Sequence, residues 1–215
     1  MAVTLAATVG AVLVSAGFVR RQAPEVVFDA EARSLSRRWL RYAAPMMFIA
    51  AMNLVLKRTD LLMIGAIIGT EEGGIYGAAT RVSEIALFGL QSVNVIVTPV
   101  ISELYHVGEH EQLQKVVGWT ASAIFAVTMA LVVPLAVAGE YALGLFGREF
   151  VGGYGVLLIL LGGQITNALA GSVGFLMVMT GHQDQAAMNF GTTAVLNLVL
   201  NAALIPSLGV VGGAV

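Results

Sequence analysis

Eighteen consecutive residues, Ala2 to Val19, carry no charge, and longer apolar stretches recur along the chain to its end. Runs of that length match the roughly 30 Å hydrocarbon core of a bilayer, which takes about 20 helical residues to cross. Inside lipid a backbone must bond to itself, so runs of this kind fold as α-helices. Composition agrees: 58% of the residues are hydrophobic and 11% are charged, less than half the ~25% of an ordinary soluble domain. The expected class is an all-α membrane protein, and the lipid bilayer is its first partner. There is no cysteine, which removes disulfides and thiol chemistry. No basic patch with interleaved aromatics calls for nucleic acid.

Six membrane helices and the start of another follow from the runs and their punctuation. The first is Ala2 to Val19, read as a span and not a signal peptide because no basic residue precedes it. Residues 20–35 form a basic connection; with Arg37, Arg38 and Arg41 the segment to Arg41 holds six of the eleven Lys and Arg residues. The positive-inside rule puts it in the cytoplasm, where its end suits a surface helix on anionic headgroups. Alternation then orders the rest: Ser36–Ile68 outward, Gly74–Leu104 inward, Val116–Ala138 outward, Gly155–Thr180 inward, Ala186–Ile205 outward and stopped by Pro206. Gly209 to Val215 reads as the opening of a further helix.

Charges and amides lie inside these runs. Asn53, Lys57 and Asp60 share one face of the second helix, with Arg58 beside them. Arg81, Glu84, Gln91, Asn94 and Thr98 form a stripe on the third. A turn at Gly69–Gly74 would put Asp60, Arg81 and Glu84 about 14–19 Å below it, near mid-membrane. Charges at that depth do not face lipid. Either they neutralise each other, Asp60 with Arg81 and Lys57 or Arg58 with Glu84, or they line an aqueous lumen. Three cations stand against two anions, and a phosphate-bearing ligand would match the excess. A further stripe, Gln185, Asn189, Thr193, Asn197 and Asn201, suits interhelical hydrogen bonding first and cavity lining second. Gly65 with Gly69, and Gly73 with Gly77, permit close helix contact.

His106, Glu109 and His110 match an H-x-x-E-H metalloprotease string. Gly108 weakens the helix it would need and no third ligand accompanies it, so a solvated link is expected, with no metal and no cofactor. No Ser-His-Asp set or phosphate loop is present, and the chain is not expected to be an enzyme.

The order of the segments resembles a known family. RTDLLMIGAIIGTEEGGIYGAATRVSEI is similar to the central hairpin of polysaccharide biosynthesis flippases of the multidrug/oligosaccharidyl-lipid/polysaccharide exporter superfamily. TPVISELYHVGE, LFGREFVGGYGVLLILLGGQITNALAG and LNLVLNAALIPSLGVVGGA resemble its later helices. The resemblance covers about Ser36 to Val215. It implies a MATE-like fold of two six-helix bundles around a V-shaped cavity, in the cell (cytoplasmic) membrane, working by alternating access on lipid-pyrophosphate-linked oligosaccharides. On that pattern residues 1–19 are the last helix of a preceding bundle, and 36–215 are the C-terminal bundle, truncated. The chain is then a fragment that needs the missing N-terminal bundle. Charge and depth nominate Lys57, Arg58 and Arg81 for the cargo pyrophosphate, and Asp60 or Glu84 for ion coupling. A drug/cation antiporter of the same superfamily and a non-transporting membrane scaffold are the alternatives.

Overall fold

A computed structural model describes Gly10, Val14, Ser15 and residues 36–214. The expected first span, Ala2–Val19, and the basic connection 20–35 lie outside the described residues apart from those three positions. Leu40–Val215 forms one compact unit. Every described element is helical: α1 Ser36–Ile67, α2 Thr70–Val107, α3 His110–Val137, α4 Gly139–Gly144, a 3₁₀ turn Arg148–Gly153, α5 Tyr154–Ala170, α6 Val173–Met179, α7 Gln183–Leu208 and a 3₁₀ turn Gly209–Gly213.

Four helical stretches among the described residues are long and apolar enough to cross a membrane: Thr70–Val107, His110–Val137, Arg148–Ala170 and Gln183–Gly213. The protein is therefore a multi-pass membrane protein. Helix α1 has the length, but its uncharged middle, Tyr42 to Leu56, is 15 residues, short of the ~20 a span needs.

Helix α2 is the centre of the unit and borders α3, α4, α5 and α6. Most of its buried residues are small: Gly73, Ala78, Ala79, Ser83, Ala86 and Gly89, against Tyr76, Val82, Asn94 and Ile101. Small residues let neighbouring backbones approach, which is what holds helices together where lipid removes the hydrophobic drive. Larger side chains fill the remaining space, with Ile64, Leu143, Leu157, Leu161 and Ile205 fully or almost fully buried. Two of the predicted glycines meet each other. A Cβ on Gly73 would lie 3.2 Å from the Gly65 Cα, and one on Gly77 would lie 3.3 Å from Leu61. Helices α1 and α2 thus touch backbone to backbone just below their turn.

Three boundaries differ from expectation for local reasons. The α1–α2 turn is short, and α2 starts at Thr70, not near Gly74. Glu71 and Glu72 fall in its first turn, where carboxylates favour the positive end of the helix dipole. Helix α7 runs past Pro206 to Leu208. The Ser207 hydroxyl donates to the carbonyls of Ala203 (3.2 Å) and Leu204 (3.1 Å), which holds the last turn. The expected single helix Gly155–Thr180 is two, interrupted at Gly171 and Ser172 between α5 and α6.

Candidate functional site

The α1–α2 hairpin and α7 build the polar site. The Gly65–Gly73 and Leu61–Gly77 contacts fix an antiparallel register that sets Lys57 level with Arg81. Arg81 lies twelve residues beyond Gly69, about 18 Å along the helix from the turn. Asp60 sits roughly one helical turn closer to the turn than these cations.

Asp60 is partly buried and held by neutral groups. Asn201 Nδ2 donates to Asp60 Oδ1 at 2.6 Å, and Asn197 Nδ2 donates to the same oxygen at 3.1 Å. Asn201 Nδ2 also reaches Asn197 Oδ1 at 3.3 Å, so both of its protons are used. The Tyr76 hydroxyl donates to the Gly213 carbonyl at 2.8 Å and lies 3.4 Å from Asp60 Oδ2. Two amide donors give the carboxylate charge-assisted hydrogen bonds where it has no ion pair. The one ion pair among the described residues is Lys115–Glu111, at 2.7 Å on the surface. Neither Asp60–Arg81 nor a Lys57 or Arg58 pair with Glu84 forms.

The cations are open instead. Lys57, Arg58, Arg81 and Glu84 are exposed, as is Gln91. Asn53 donates to its own helix, to the Ile49 carbonyl at 3.3 Å. Asn94, counted with the same stripe, is on another side: it is buried, and Ser172 Oγ donates to its Oδ1. The stripe divides because residues turn about 100° per position, so Arg81 and Asn94 end roughly 140° apart around α2. On α7, Asn197 and Asn201 converge on Asp60, whereas Asn189 is exposed and reaches only Met177 Sδ, at 3.9 Å.

Sequence reasoning did not single out Tyr76, Ser172 or Gly213. Tyr76 had a signal, since across the hairpin it faces the level of Asp60. Among the described residues no group of three or more His, Asp or Glu could hold a metal ion. The imidazoles of His106 and His110 instead pack edge-on to the Tyr105 ring.

Residues 1–105 match the family model described as polysaccharide biosynthesis protein. The chain is also 31% identical, over 161 residues, to the probable low-salt glycan biosynthesis flippase Agl15 of Haloferax volcanii. By these matches the chain resembles polysaccharide biosynthesis flippases. The match with the Haloferax protein takes in 73% of this chain and 33% of that relative, so the chain spans about a third of its length. No solved structure matches the chain. The chemistry on offer at this site is electrostatic. Exposed guanidinium and ammonium groups stand level with one another, and a carboxylate one turn away is occupied by amides.

Proposed function

We propose that this chain is part of a transporter that flips lipid-linked oligosaccharide across the cytoplasmic membrane by alternating access, with a second six-helix bundle closing the MATE-like chamber. Lys57, Arg58 and Arg81 bind the cargo pyrophosphate while its sugars ride in water. The observation that carries this reading is the level pair of exposed cations, Lys57 and Arg81, without a carboxylate partner among the described residues. Like charges side by side near mid-bilayer repel and are poorly tolerated by lipid. An anionic ligand removes both problems, and guanidinium groups bind phosphate through two parallel hydrogen bonds. The family-model match and the glycan flippase to which the chain is similar support the cargo class.

Of the two carboxylates open to ion coupling, Asp60 is the better placed. Its ligating shell of two carboxamides and a phenol joins α1, α2, α7 and the last 3₁₀ turn, so a change in its charge reaches four elements at once. Glu84 is exposed and has no such shell.

In the intact protein, Arg81→Ala should lower the delivery of lipid-linked glycan to the outer leaflet by roughly 10–100-fold, the worth of one charged hydrogen-bonding partner. Insertion and folding should be unchanged. Export at the parental rate would remove Arg81 from the mechanism.

The scaffold alternative draws on the interhelical bonds of Asp60 and Asn94, which also serve as glue. Cysteine substitutions at 57, 81 and 94 separate the readings, because this chain has no cysteine of its own to label. Transport predicts that a membrane-impermeant thiol reagent modifies positions 57 and 81 and spares 94. A scaffold predicts that all three are spared.

A further inference from the structure

Helix α6 is held differently from every long helix around it. It has seven residues, none of them buried. It is separated from α5 by Gly171, at φ 64° and ψ −142°, and by Ser172. The surrounding sequence, Gly155 to Thr180, is apolar enough to have been one continuous helix. Sharp interruptions of membrane helices arise at Gly and Ser, and the freed backbone is tolerated only where protein surrounds it. At this break Ser172 is 7% exposed, and its hydroxyl bonds to Asn94 on α2.

The latch is half made. Asn94 is 2% exposed, yet its Nδ2 has no partner among the described residues. A buried donor left unmet costs free energy in the latched state and so lowers the cost of leaving it. Space is not what keeps the break glycine: a Cβ on Gly171 would stand 3.6 Å from the Ala121 Cβ, an ordinary contact. The backbone angle is what requires glycine, since L side chains rarely adopt it. Beyond the break, Val178, Met179, Thr180 and Gly181 form one wall of a cavity of about 270 Å³, with Met46 and Tyr105 opposite.

We propose that Gly171–Ser172 is a hinge, latched by the Asn94–Ser172 hydrogen bond, on which α6 swings to resize the cavity it borders. Releasing the latch lets α6 rejoin α5 as a continuous helix and carries the 178–181 wall away from Met46 and Tyr105. Few buried contacts and a break in the helical ladder are the marks of a segment that moves at low cost. The hinge does not depend on the identity of the cargo or on Lys57 and Arg81.

The absence of cysteine allows a direct test in the full chain in lipid vesicles. Nitroxides are attached at Trp119→Cys on α3 and Phe175→Cys on α6, both exposed, and their distance distribution is measured by pulsed electron resonance. In Ser172→Ala the ratio of the parental distance to a second, new distance should fall about fivefold, as expected for the loss of one net hydrogen bond. Gly171→Ala, which disfavours the bent backbone, should populate the same second distance. Ser172→Thr retains the hydroxyl and should restore the parental distribution. A reference pair at Trp119→Cys and Leu158→Cys, on α5, should not change in any of them. A Ser172→Ala distribution superimposable on the parent's overturns the proposal. So does a shift of the reference pair, which would assign the change to the whole bundle.

Discussion

Asp60 and Arg81 lie within two helical turns of depth of each other on touching helices, and their surroundings are opposite. The anion is wrapped by Asn197 and Asn201, with Tyr76 alongside, all from other helices. The cation has no such shell and is exposed. Opposite charges on neighbouring helices would ordinarily cancel. Here neutral amides take the anion, and the positive charge is left uncancelled. The amide stripe on α7 thus acts as glue and, by occupying Asp60, also preserves the sign bias of the exposed face.

Altering the two surroundings should give unequal results. Asn201→Leu removes the 2.6 Å bond and leaves Asp60 underpaired. It should cost about 1.5–3 kcal/mol of stability, read as a lower melting temperature in detergent. A melting temperature equal to the parent's would mean that Asp60 draws no stability from α7. Tyr76→Phe loses the bond to the Gly213 carbonyl and should cost about 0.5–1.5 kcal/mol by the same measurement. Lys57→Gln, on the exposed side, should stay within about 0.5 kcal/mol of the parent. A large loss there would show that Lys57 has a structural partner, and the contrast between anion and cation would collapse.

Much of the hairpin was readable in the sequence. The Gly-rich turn, the small-residue contacts and the charges inside apolar runs all follow from spacing within a single helix or across one short loop. The turn itself shifted because the dipole preference of Glu71 and Glu72 extends α2 back to Thr70. The partners of the polar groups were not readable. Asp60 meets Asn201 across 141 residues, and Asn94 meets Ser172 across 78. Helical periodicity states which residues share a face and is silent on what that face meets. Periodicity also grouped Asn94 with Arg81, although a stripe this long turns far enough to bury one end and expose the other. The break at Gly171 was hidden for a different reason. Glycine is common in membrane helices, so Gly171 looked no different from Gly162 or Gly163, which remain helical.

Where Gly73 meets Gly65, no side chain stands between the two backbones to flex or yield. Helices α1 and α2 are packed backbone against backbone there and joined by a two-residue turn, which limits how far one can slide past the other. The relative heights of Lys57 and Arg81 are therefore set together, by one contact beside the turn.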